Sequence, residues 1–266
     1  MVSIQVNFIV IEMAFDPNSL LTAQELTTPR TPTQLAQWVE EKCLLFASHE
    51  EAKERVLLHK GPFKKFYEEV YPLSLFATHL YAGRSDIQCI PNLDYRDFDA
   101  VIIDYSTSPP SELKVEITSA LDEIEGYDEH LRMEYFVQHG HVNVWGTLSA
   151  SGTEKRGHQI DIKENEAIAR TDLLNRTFSL IRSAVEGKSI RPNEAQKYGK
   201  GYILIVAFND YCWFEPDQDI IALKNFMKQH VLTLPLDFAD LYVLGLSGKT
   251  FLCFKLTKIQ DLTNGS

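Results

Sequence analysis

The chain reads as a mixed α/β protein, a central sheet flanked by helices. Three observations predict this class. Residues 113–118 (LKVEIT) alternate as a half-covered strand does. Residues 202–208 (YILIVAF) form an unbroken apolar run, the signature of a strand covered on both faces. Between such strands lie long segments whose apolar residues recur at helical spacing.

Residues 1–15 place Val2, Ile4, Val6, Phe8 and Val10 in alternation, and read either as a strand or as a leader ahead of a start at Met13. Residues 16–32 hold Pro17, Pro29 and Pro32 and many threonines, a loop or arm by composition. The expected division is an N-terminal arm over 1–31 and a single compact domain over 32–266. Thr31-Pro32-Thr33 opens a helix carrying Leu35, Trp38, Val39, Cys43 and Phe46. A second helix spans 49–59, breaks at Gly61-Pro62 and resumes over 63–71. Its lysines (Lys53, Lys60, Lys64, Lys65) and Arg55 interleave with Glu50, Glu51, Glu54, Glu68 and Glu69, as on a solvated face.

Strands are expected at 86–90, 98–104 and 113–118, then a helix over 121–139 ended by Gly140. A strand at 141–146 and a polar loop at 149–157 follow. A helix over 163–187 carries Ile168, Leu173, Leu174, Phe178, Ile181 and Val185 on one stripe. The last third adds the 202–208 strand, a helix over 217–231 and a hairpin of 241–246 with 251–256. This is a β-α-β-β extension expected to enlarge the same sheet.

The net charge of −11 over 266 residues argues against a surface that grips nucleic acid everywhere, while leaving room for a small basic channel. Four cysteines show no CxxC and no zinc-finger spacing, so they read as buried apolar residues in a reducing, cytoplasmic setting. The N-terminus lacks the basic region of a signal peptide, and no stretch approaches ~18 uncharged apolar residues, so neither signal peptide nor membrane span is expected. Phosphate-loop, nucleophile-elbow, zincin, kinase and dinucleotide motifs do not occur.

The residues that point to chemistry are Asp99, at the start of its strand, and Glu116-Ile117-Thr118 on the next. If the two strands are antiparallel neighbours, Asp99 and Glu116 meet at one end of the sheet. Two close carboxylates repel, and a hard divalent cation such as Mg²⁺ or Mn²⁺ relieves that repulsion. On the same strand Lys114, Glu116 and Thr118 share one face and Val115 and Ile117 the other. The alternative is structural, with Asp99 a strand-start carboxylate and Glu116 turned to solvent.

This order of elements and acids resembles the PD-(D/E)xK nuclease superfamily, the restriction-endonuclease-like fold, over about residues 50–147. The resemblance implies a core of helix, three strands, helix and strand, with 141–147 as the last strand. It implies Asp99 and Glu116 as metal ligands for Mg²⁺ or Mn²⁺ and a phosphodiester of DNA, or less expectedly RNA, as substrate. Thr118 stands where that pattern has lysine. Lys114, about 7 Å back along the strand on the same face, is a candidate to serve in its place. The resemblance also assigns Arg132, on the following helix, to the scissile phosphate, and Glu69 or Glu68 as an additional acid from the first helix. Because Thr118 carries no charge, the expectation has two forms: a nuclease, or a non-catalytic binding or assembly module that keeps the fold.

Overall fold

The computed structural model describes residues 17–93, 98–120, 123–140, 146–153, 157–164, 169–190, 198–211 and 214–256. Six strands form one mixed sheet in the order β1-β2-β3-β6-β7-β8. β1 (Ile87–Pro91), β2 (Ala100–Asp104) and β3 (Ser111–Ser119) are an antiparallel meander. β6 (Gly199–Phe208) and β7 (Phe238–Gly245) then run parallel to β3, and β8 (Phe251–Lys255) returns antiparallel. The expected pairing of the 98–104 and 113–118 strands is thus present, and the last third extends the same sheet.

Each face is covered by helices, as its strand composition requires. One core gathers Leu35, Val39 and Phe46 from α2 (Pro32–Ala47) and Leu73 and Phe76 from α5 (Tyr71–Tyr81) over Ile102, Val115, Ile117, Ile203 and Ile205. The opposite core joins Phe178, Ile181 and Val185 of α7 (Arg170–Glu186) and Leu223 of α8 (Pro216–Phe226) to Leu204, Val206, Leu241 and Val243. α7 and α8 lie in the connections leading to β6 and β7, which parallel strands need in order to return to the same sheet end.

Before α5 the chain forms α4 (Pro62–Lys65) and a π-helical segment, Phe66–Val70. Pro72 has no N–H to give a regular helical turn, and a widened turn beside it accommodates that loss. The helix expected to stop near 71 therefore continues to Tyr81. α3 (Glu50–Leu57) matches the expected 49–59 helix, and a second π segment, Met227–Val231, ends the 217–231 helix.

Several expectations are corrected. The loop or arm over 16–32 contains α1 (Ala23–Thr27), started by a Thr22/Glu25 capping box, with Leu21 and Leu26 buried. Arg30 bridges to Cys89 of β1 and stacks on Trp38 at 3.9 Å. The polar loop at 149–157 is instead largely hairpin. β4 (Gly146–Thr153) and β5 (Gly157–Glu164) pair apart from the main sheet, and β4 packs on α6 (Glu123–His139). Ala150 and Ile160 pack there with Leu131 and Tyr135 of α6, which gives the two-stranded ladder its small core. The strand beside β3 is accordingly β6, not 141–147, whose residues 141–145 lie outside those described. Residues 1–15, Ile168 and Cys212 also lie outside them. Cys43 and Cys253 are exposed rather than buried, and only Cys89 among the described cysteines is interior. No helix among the described residues is long and apolar enough to cross a membrane.

Candidate functional site

β3 outruns its neighbour. β2 begins at Ala100, opposite Val115, while β3 continues to Ser119. Beyond that point Ile117 N–H has no β2 carbonyl to meet, and a buried amide must find an acceptor. Asp99, just ahead of β2, supplies it. Its backbone N–H donates to Val115 O at 2.9 Å, and its Oδ2 accepts from Ile117 N–H at 2.7 Å. The strand-start aspartate is therefore pinned to the backbone on the far side of Glu116.

Glu116 is buried, its side chain 8% exposed, and Lys188 Nζ donates to its Oε1 at 2.5 Å. Lys188 arrives from the end of α7, where Gly187 is the C-cap and Lys188 N–H donates to Val185 O. On the other side of the sheet, the π segment packs on β3 and presents Glu69. Lys65, one turn earlier, is buried and paired to Glu69 at 2.7 Å. Lys65 and Glu69 are thus turned inward, away from the solvated face expected of their helix.

Asp99 links the two ion pairs electrostatically: it is acted on by Glu116, Lys188 and Lys65, and it acts on Glu69. Burial pushes the Glu69 carboxyl up to about 7, reinforced by the negative charges of Asp99 and Glu68 and opposed by Lys65. Burial also raises the Asp99 carboxyl above its ordinary range, and the Glu116 charge adds to this. Ile117 N–H and the ammonium groups of Lys65 and Lys188 pull the other way. With all five ionised, three carboxylates face two ammonium groups, a local excess of negative charge.

The remaining expected residues lie as follows. Thr118 is half-buried on the strand face of Glu116. Lys114 donates to Tyr202 Oη at 3.2 Å and lies 5.1 Å from the ring centroids of both Phe98 and Tyr202. Arg132 is half-buried on α6, a helix packed on α3 and β4. Glu68 accepts from His59 Nδ1 at 2.9 Å. Lys188 has no place in the expectations drawn from sequence, and Lys65 enters them only as one lysine of a solvated helix face. The available signals were weak: a lysine between Phe63 and Phe66 in an apolar stretch, and a lysine just past the glycine ending the α7 stripe.

Among the described residues, no three His, Cys, Asp or Glu side chains stand together as a metal cage. The donors present are the carboxylate oxygens of Asp99 and Glu116, with Glu69 across the sheet. That set suits a hard cation held by one or two carboxylates and completed by water. A separate cavity of about 270 Å³, lined by Cys43, Phe46, Val56, Leu57, Tyr67 and Tyr71 among others, is apolar and touches none of the five charged groups.

Compared with protein-family models, with curated proteins and with solved structures, the chain matches none.

Proposed function

We propose that the chain is a divalent-metal-dependent nuclease that hydrolyses phosphodiester bonds of DNA, or of RNA, on a restriction-endonuclease-like core. The observation that carries this reading is the position of Asp99 at the end of β3, where its carboxylate is bonded to Ile117 N–H and interacts electrostatically with Glu116 on one face of the sheet and Glu69 on the other. The element order supports it: a helix, an antiparallel meander of three strands, a helical crossover, and a fourth strand parallel to β3.

In this reading Asp99 and Glu116 hold Mg²⁺ or Mn²⁺, with Glu69 as the additional acid. The bound ion supplies a polarised phosphoryl oxygen and a water of lowered pKa. The protein's own part is positional. Ile117 N–H orients Asp99 through one oxygen and leaves the other free of that bond. The π segment sets Glu69 against β3, and burial strengthens every charge interaction in the cluster. The test is cleavage of plasmid, single-stranded DNA and RNA with Mg²⁺ or Mn²⁺ against a chelator control. Activity should vanish in Asp99→Asn and Glu116→Gln; activity persisting in the double variant contradicts the reading.

A second reading, a non-catalytic binding or assembly module, is favoured by one specific feature. Glu116 and Glu69 are already neutralised by Lys188 and Lys65, and Thr118 is uncharged. Calorimetry with Mn²⁺ separates the two, because a structural pair of salt bridges takes up no ion.

A further inference from the structure

We propose that Lys188 is the exchangeable cation of this site: it neutralises Glu116 while the site is empty and is released toward the phosphate when a divalent cation takes that carboxylate. The inference rests on the nuclease reading above.

Four observations support it. First, β3 itself offers no free cation, because Thr118 is uncharged and Lys114 is engaged by Tyr202 and two aromatic rings. Second, Lys188 makes a charge-assisted bond to Glu116 at 2.5 Å, and its charge also acts on Asp99. It therefore bonds one of the acids that would hold the ion and acts electrostatically on the other. Third, the two lysines of the cluster differ in freedom. The side chain of Lys65 is 10% exposed, whereas that of Lys188 is 29% exposed and stands on the solvent side of a carboxylate that is itself 8% exposed. Fourth, Lys188 has a fixed root. Its backbone N–H closes the last turn of α7, so the side chain can swing without the helix moving.

The physical argument is competition. An ammonium and a divalent ion both need the Glu116 oxygens, and the ion carries the larger charge. Displacement leaves a long, flexible ammonium side chain within reach of the acids, where negative charge develops on a phosphoryl group. The same contact makes Lys188 a competitor of the metal, so its removal strengthens metal binding while weakening cleavage. A purely structural salt bridge predicts loss of fold and no such opposition.

The experiment is calorimetric titration of the full chain with Mn²⁺, alongside cleavage of plasmid DNA. Lys188→Met should bind Mn²⁺ about tenfold more tightly, because the competing charge-assisted bond is gone. It should cleave about a hundredfold more slowly, the usual effect of losing one group that stabilises developing charge. Lys188→Gln, which keeps a donor for Glu116 and protects the fold, should move both quantities in the same directions. Thr118→Lys in the Lys188→Met background should recover cleavage, since it returns an ammonium to the strand face of Glu116. Wild-type Mn²⁺ affinity in both Lys188 variants overturns the inference and leaves the nuclease reading standing. Tighter binding with unchanged cleavage also overturns it, since the released ammonium would then have no task. Absence of Mn²⁺ binding by the wild-type chain removes the nuclease reading, and this inference with it.

Discussion

Two aspartates at strand ends, Asp210 and Asp99, solve the same problem in opposite ways. Asp210 follows β6, is 4% exposed, and is surrounded by neutral donors. Ser247 N–H and Ser247 Oγ each donate to it at 2.7 Å, and Thr250 Oγ1 donates at 2.9 Å. Together they lock the turn between β7 and β8, and Gly245 leaves room for the carboxylate. Asp99 has a single backbone donor, and its other neighbours are charges, two of them carboxylates. The first arrangement satisfies a buried charge; the second keeps it under electrostatic tension. A carboxylate surrounded by fixed dipoles builds structure, whereas one set among other charges is the kind of group the nuclease proposal asks to bind a cation.

The largest expected effect breaks the structural member of the pair. In Gly245→Ala the added methyl would sit 2.0 Å from Asp210 Oδ2, so the carboxylate and its three donors must shift. A loss of about 3 kcal/mol in urea unfolding is expected, with Mn²⁺ binding retained by the folded fraction. Asp99, if it binds metal as proposed, should respond in reverse. Asp99→Asn keeps an acceptor for Ile117 N–H and removes a charge, so stability should stay within about 1 kcal/mol of the wild type. Calorimetry should then show Mn²⁺ binding lost. Large destabilisation by Asp99→Asn would place it beside Asp210 as a structural carboxylate.

The third expectation concerns pH in metal-free buffer. Glu69 titrates at about 7 in the fold and at about 4.5 in the unfolded chain. Between those values the folded state holds a proton that the unfolded state has released. Stability from this group is therefore full below about 4.5, declines as pH rises, and levels off above about 7. Thermal unfolding should show that slope between pH 5 and 8, flattened in Glu69→Gln. An equal slope in both proteins would assign it to other groups.

The smallest effect comes from another strand carboxylate, Asp240 of β7. Lys255 pairs with it at 2.6 Å but is 60% exposed, and Tyr242 Oη also donates to Asp240. Lys255→Met should cost no more than about 1 kcal/mol and leave metal affinity unchanged. A metal response there would show that strand carboxylates in general, rather than the β3 cluster, take up the ion.

Asp99 and Glu116 were legible because a strand pattern carries its own geometry. Alternation over 113–118 assigns each residue to a face, and the short connection over 105–110 makes the two strands antiparallel neighbours. The same reasoning misplaced the fourth strand. Local reading expects the last strand of the core at 141–147, of which 141–145 lie outside the described residues; the residues that follow, expected as a polar loop, form the separate β4–β5 hairpin, and the place beside β3 belongs to the apolar run of β6. Which strand occupies a sheet position is a competition between distant segments, and no window of neighbours contains both competitors.

The sequence by itself determined the mixed α/β class, the meander, the two carboxylates on adjacent strands and the missing charge at Thr118. All of these follow from residue type and period, quantities that act over a few neighbours. Only the tertiary structure decided that Lys65 and Glu69 turn inward and that Lys188, 72 residues from Glu116, closes on it. A charged side chain on a helix reads as solvated until the surface it packs against is known. Its partner is chosen by burial, which removes water as the alternative and leaves another charge as the favourable neighbour.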